Sequence, residues 1–141
     1  MIKFCKESAL EKIGEDCFRS SGLVEISLPP KVRYIGSGAF YGCRSLQRVE
    51  LNEGLEVLGK YFKLFSSGAF RESAVHSVSL PSTLKVIGDY SFCNCKNLRA
   101  IELPERLEVI GNYSFSGTML LAISIPVRVK IIGEGAFSDC E

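Results

Sequence analysis

"IGSGAFYGC", residues 35–43, decides the fold, because close copies of it return along the chain. They read "IGEDCF" at 13–18, "IGDYSFCNC" at 87–95, "IGNYSF" at 110–115 and "IGEGAFSDC" at 132–140. The anchors Ile13, Ile35, Leu58, Ile87, Ile110 and Ile132 stand 22, 23, 29, 23 and 22 residues apart, and each is followed by Gly. A small residue and then Phe come shortly after: Phe18, Phe40, Phe70, Phe92, Phe115 and Phe137. The third unit matches its neighbours once an insertion at about 59–65 is looped out. A period in the low twenties is the mark of a solenoid built from stacked coils.

The remainder of each unit repeats too. An L-x-x-I-x-L triplet follows the Phe segment: Leu23, Ile26, Leu28; Leu46, Val49, Leu51; Val75, Val78, Leu80; Leu98, Ile101, Leu103; Leu120, Ile123, Ile125. Pro29, Pro81, Pro104 and Pro126 come next, where a residue without an N–H ends a strand. Val32, Leu55, Leu84, Leu107 and Val129 then stand three places before the next anchor. Apolar residues two apart face the same side of a strand. Each coil is therefore predicted to hold one strand at L-x-x-I-x-L and a second at L-x-x-I. The A-F segment turns between them, and the Phe side chains stack inside. The Gly after each anchor suits a sharp bend or a positive φ.

One column argues for stacking directly. Two places before the anchors stand Glu11, Arg33, Glu56, Lys85, Glu108 and Lys130, alternating in sign without a break. On neighbouring strands about 4.8 Å apart, unlike charges stabilise and like charges destabilise. Stacked coils favour this alternation, and an unstacked fold gives no reason for it.

These residues resemble the BspA-type leucine-rich repeats, whose pattern is L-x-x-I-x-L-P-x-x-L-x-x-I-G-x-x-A-F-x-x-C. "LRAIELPERLEVIGNYSF", residues 98–115, follows it almost position for position, and the resemblance covers 13–140. Asn52 in place of Pro, Cys17 in place of Ala and the insertion are the departures. The fold expected is an α/β repeat: a right-handed leucine-rich-repeat solenoid, strand-rich with little helix, of about six coils of 22–23 residues. It forms one domain over 1–141, with units starting near 13, 35, 58, 87, 110 and 132. The resemblance implies a non-enzymatic protein-binding or adhesion module, a segment of a larger microbial surface protein, on the cell surface or secreted. A structural spacer with no ligand of its own is the alternative.

Composition narrows the function classes. The chain has 141 residues and a net charge of +1, which does not suit a nucleic-acid partner. No apolar run reaches the length of a membrane span, and "MIKFCKESALEKIG" shows no signal peptide. A nucleophile needs a base and an orienting group, and His76 is the single His. The glycines of "GSGAFYG" (36–42) belong to the repeat, not to a phosphate loop. "NYS" (112–114) is formally a glycosylation sequon, but Ser114 holds a position expected to be buried. Cys43, Cys95 and Cys140 share one column two coils apart, about 10 Å from the strand spacing, too far for a disulfide. The six cysteines read as free thiols, most of them small buried fillers. "CNC" (93–95) lacks a second ligand pair for zinc. No catalytic residue, metal or cofactor is expected.

Three surfaces are candidates for a protein or glycan ligand. The outward face of the main sheet offers Arg48, Glu50, His76, Arg99 and Glu102 among small residues. The insertion concentrates Lys60, Tyr61, Phe62, Lys63, Leu64 and Phe65, which either meet a partner or fold back over neighbouring coils. Tyr34, Val57, Val86, Val109 and Ile131 form an apolar column, read as packed within the coil; exposed, it would invite a partner. "IKFCKESALEKIG" (2–14) aligns with "VEISLPPKVRYIG" (24–36), and "IGEGAFSDCE" stops where another strand should begin. Both ends are therefore expected to be truncated, with end-to-end self-association through uncapped coils as a mode of partnering.

Overall fold

A computed structural model describes residues 2–60 and 67–141. In chain order the strands are β1 (Lys12–Ile13), β2 (Glu25–Ser27), β3 (Tyr34–Ile35), β4 (Arg48–Glu50), β5 (Val57–Leu58), β6 (Ser77–Ser79), β7 (Val86–Ile87), β8 (Val109–Ile110) and β9 (Ile131–Ile132). The anchors all fall in one parallel six-stranded sheet of order β1-β3-β5-β7-β8-β9. Its register sets Ile13 opposite Ile35, Ile35 opposite Leu58, and so on to Ile110 opposite Ile132. The L-x-x-I-x-L segments supply a second parallel sheet, β2-β4-β6. Each coil thus contributes to both sheets or continues past one of them. We number the coils one to six: 2–21, 24–43, 46–73, 75–95, 98–118 and 120–140.

The second sheet is shorter than the repeat predicts. Residues 98–103 and 120–125 carry the same triplet but form no strand. A cleft of about 690 Å³ separates 101–105 from 122–127. The outward positions there are Ala100, Glu102, Ala122 and Ser124, and no side-chain pair joins them among the described residues, unlike β2 and β4, where Arg48 meets Glu25 and Ser27 meets Glu50.

No helix forms at the A-F turns. Their N–H groups bond to the next coil instead: Phe18 to Ala39, Phe40 to Ala69, Phe70 to Ser91, Phe92 to Ser114 and Phe115 to Ala136, all at 2.7–2.8 Å. Two positions per turn take a left-handed backbone. One lies two before the Phe (Asp16, Gly38, Gly68, Tyr90, Tyr113, Gly135) and one two after it (Ser20, Gly42, Glu72, Asn94, Gly117, Asp139). The Gly after the anchor serves another purpose. Gly36, Gly88, Gly111 and Gly133 have no positive φ. A Cβ there would lie 2.6 Å from the Glu15 nitrogen, 2.5 Å from the Lys60 carbonyl, 2.6 Å from the Asp89 nitrogen and 2.4 Å from the Asn112 side chain. These glycines let main chains of adjacent coils touch. At Gly59, where the insertion begins, φ is 68°.

The Phe side chains stack as a ladder with centroids 5.3, 5.0, 5.4, 5.4 and 5.5 Å apart and planes within 16° of parallel. Phe40, Phe70, Phe92 and Phe115 are fully buried, and the outermost rings, Phe18 and Phe137, half so. Beside them runs a second ladder. The Cys43, Cys95 and Cys140 thiols donate to the carbonyls of Phe18, Phe70 and Phe115 in the preceding coil, at 3.0, 3.0 and 3.3 Å. Each also touches the hydroxyl of Ser21, Ser73 or Thr118. Cys93 is buried too, but Cys5 and Cys17 are exposed and fill no core position.

The charge column lies one residue before the successive strands of the six-stranded sheet. Arg33 pairs with Glu56 at 3.6 Å and Lys130 with Glu108 at 3.8 Å. Glu11 and Lys85 keep their alternating places without a side-chain ion pair among the described residues. These exposed pairs add little individually.

Removing a buried ring leaves a cavity the ladder cannot close. Phe92→Ala should lose about 3–5 kcal/mol of unfolding free energy in urea titration. Lys85→Glu sets three acids in a row and should cost about 1 kcal/mol, an effect that shrinks in salt. Burial pushes the Cys95 thiol from 9.0 up to about 12. Between those pH values the unfolded thiol has lost its proton and the folded one has kept it, so stability falls as pH rises. Urea midpoints measured across that window should drop less for Cys95→Ala than for the parent.

Candidate interaction surfaces

Strands expose alternate side chains, so β2, β4 and β6 turn Ile26, Val49 and Val78 inward and Glu25, Ser27, Arg48, Glu50, Ser77 and Ser79 outward. In-register pairing brings Glu25 opposite Arg48 and Ser27 opposite Glu50. The Arg48 guanidinium donates to Glu25, and the Ser27 hydroxyl donates to Glu50, each at 2.5 Å. Opposite Arg48 and Glu50 on the other side lie only Ser77 and Ser79. The face is therefore stepped: charged pairs on β2 and β4, short hydroxyl side chains on β6. A groove of about 640 Å³ runs over these residues and is walled by Ile2, Lys3 and Phe4 of coil one.

Arg48 and Glu50 thus meet on one face, as strand alternation predicts. His76 and Arg99 are exposed but do not line this groove; the His76 N–H donates to the Gln47 carbonyl. Glu102 lines the other cleft, between 101–105 and 122–127, with Ile101, Leu103 and Ile123. The wall formed by Ile2, Lys3 and Phe4 is absent from the sequence expectations. Its signal lies in the alignment of 2–6 with 24–28, which makes that segment the neighbour of β2.

The apolar column is not packed within the coil, correcting the sequence expectation. Its strands have only two residues, and the anchor takes the inward one. Tyr34, Val57, Val86 and Val109 are half-buried on the outer side, and Ile131 is 39% exposed. Lys12 sits over the Tyr34 ring at 5.0 Å. Partial burial raises the Tyr34 phenol pKa, and the nearby Lys60 ammonium opposes that rise. Lys60 is ion-paired with Glu15 of coil one. Tyr61, Phe62, Lys63, Leu64 and Phe65 lie outside the described residues.

A further ladder runs along the turns. Arg19 lies 4.4 Å from the Tyr41 ring centroid, Arg71 lies 5.0 Å from that of Tyr90, and Tyr90 stacks on Tyr113 at 5.3 Å. Tyr113 donates to Glu134 at 3.1 Å, and that hydrogen bond and negative charge hold its phenol above its ordinary pKa. Three of these residues, Arg19, Tyr41 and Arg71, follow the Phe directly, so their common column is readable from the repeat.

Among the described residues no group of His, Cys, Asp and Glu is arranged to hold a metal ion, and no helix is long and apolar enough to cross a membrane. The surfaces are suited to contact with another molecule through fixed charges, hydroxyls and half-exposed apolar groups.

Known proteins share this arrangement. A leucine-rich repeat protein from Bacteroides ovatus is 34% identical over 88% of this chain and 31% of its own, with a TM-score of 0.75. The T. pallidum leucine-rich repeat protein is 32% identical over 93% of this chain and 59% of its own, with a TM-score of 0.79. A leucine-rich cell surface protein from Faecalibacterium prausnitzii is 28% identical over 93% of this chain and 41% of its own, with a TM-score of 0.60. This chain therefore spans only part of each of these proteins. No curated protein matches it. The BspA-type leucine-rich repeat region matches residues 2–68 and 63–141, in six copies. With the repeat, the two sheets and the Phe ladder in place, the chain belongs to the BspA-type leucine-rich repeat family.

Proposed function

We propose that this protein is a non-enzymatic binding module that engages a protein ligand at the cell surface, in the manner of an adhesin, through the outward face of β2-β4-β6. Leucine-rich repeats form a general protein-interaction fold, which supports binding over catalysis. The F. prausnitzii relative is described as a cell surface protein, which supports the location. The observation that carries the choice of face is the stepped groove of about 640 Å³, with the Glu25–Arg48 and Ser27–Glu50 pairs along one side. Main-chain hydrogen bonds hold these side chains on strands, so little order remains to be imposed on binding.

The test is binding of the intact chain to immobilised extracellular proteins, followed by the same measurement with variants. Arg48→Glu places a third acid beside Glu25 and Glu50, and Ser77→Arg fills the floor of the groove. Each should weaken a ligand identified with the parent by about tenfold or more, equivalent to about 1.4 kcal/mol. Arg19→Ala, on the turn ladder, should leave it unchanged. Parent-like binding by both groove variants would move the contact away from this face.

A further inference from the structure

The six-stranded sheet has an outer side that the fold itself does not use. Tyr34, Val57, Val86 and Val109 stand there in one row, and the register of β3, β5, β7 and β8 sets each opposite the next. All four are half-buried. The outward positions of the other sheet are polar by contrast: Arg48, Glu50, Ser77 and Ser79. An outward strand position in this solenoid therefore does not have to be apolar, and an unbroken apolar row on a surface marks a place of contact. The row lies along the flank of the coils. A further coil stacked before or after these four would lengthen it without covering it.

The columns on either side of the row define what fits it. One residue before it stand Arg33, Glu56, Lys85 and Glu108, alternating in sign. Beyond the inward anchors, on its other side, stand Gly36, Gly59, Gly88 and Gly111, which carry no side chain to rise above it. A column that runs plus, minus, plus, minus runs minus, plus, minus, plus when reversed. It is therefore the complement of itself turned end for end.

We propose that a second copy of this chain covers the row, face to face, about a two-fold axis that runs along the strands between β5 and β7. That axis sets Val57 against Val86 of the second copy and Tyr34 against its Val109. It also sets Glu56 against Lys85 and Arg33 against Glu108, so every facing charge pair is unlike. Moving the second copy by one coil brings like charges together throughout, so the column selects the register. Lys85 gives a further reason. It is exposed and makes no side-chain ion pair among the described residues, whereas Arg33 pairs with Glu56 and Lys130 with Glu108. In the dimer, Glu56 of the second copy faces it. Both copies contribute the same surface, so the contact is isologous and closes at two chains. The face is narrow, one apolar row beside one charge column, which makes the dimer reversible and not permanent. The groove on β2-β4-β6 takes no part in it.

Sedimentation equilibrium of the intact chain, over a concentration series reaching about 1 mM, tests the proposal. The average mass should rise with concentration and level off at twice that of the chain. Val86→Ser should weaken association by about tenfold, by removing apolar contact at the axis. Lys85→Glu and Glu56→Lys should each weaken it by about tenfold, because each sets two like pairs across the axis. An equimolar mixture of those two variants should associate at least as well as the parent, since the acids of one chain then face the lysines of the other. Stacking inside one chain cannot be repaired by a second chain, so this recovery separates the contact from any effect on stability. Three results would each overturn the proposal. They are a parent that stays monomeric throughout, a Val86→Ser chain that associates as the parent does, and a mixture that associates no better than either variant alone.

Discussion

Main-chain hydrogen bonds between successive coils are the constraint on which everything else rests. They run in register from coil to coil through the six-stranded sheet, through β2-β4-β6 and through the A-F turns. Parallel strands at about 4.8 Å leave little room for variation along an inward column. A position that is small, flat or apolar in one coil must be compatible with the same position in the next. The repeat is therefore a consequence of stacking: Gly at the step after the anchor, Phe inside the turn, and a left-handed backbone on either side of it.

This geometry also separates stability from recognition. Inward columns are uniform because they share one dense interior of Ile, Leu, Val and stacked Phe. Outward columns are free of that demand and vary from coil to coil. Where they combine charge with hydroxyls on paired strands, as at Glu25, Ser27, Arg48 and Glu50, a rigid polar groove results. Where the triplets form no strands, between 101–105 and 122–127, another cleft opens instead. The interior polar groups are mostly satisfied by the same logic. The Cys43 and Cys95 thiols, for example, each find a Phe carbonyl one coil back. Ser114 is an exception, buried with its hydroxyl unpartnered.

Much of this architecture is legible in the amino-acid sequence by itself. Period, anchor spacing and the Phe column determine the solenoid and its buried ladder, because each is a repeated local pattern and the only way to bury it is to stack it. The alternating charges agree with consecutive coils being neighbours, since Coulomb attraction at strand spacing favours unlike pairs. A second strand ending at each anchor follows from the same spacing, although the structure confines it to two residues. Arg48 and Glu50 are readable as one outward face from strand alternation alone.

Tertiary structure decided what depends on how closely the coils approach and where each side chain finds room. It placed the Tyr34–Ile131 column outside the coil, because a two-residue strand has one inward position and the anchor occupies it. It assigned Gly36, Gly88, Gly111 and Gly133 to close contact with the preceding coil and Gly59 to a left-handed turn, a distinction invisible in a string where both uses read as Gly. It ended the second sheet at β6, although the triplets in coils five and six match those of the paired strands. It also made Ile2, Lys3 and Phe4 a wall of the groove, because a weak partial repeat becomes a neighbour only when the chain is stacked. Local pattern was enough to specify the coil; the distances between coils specified the surfaces.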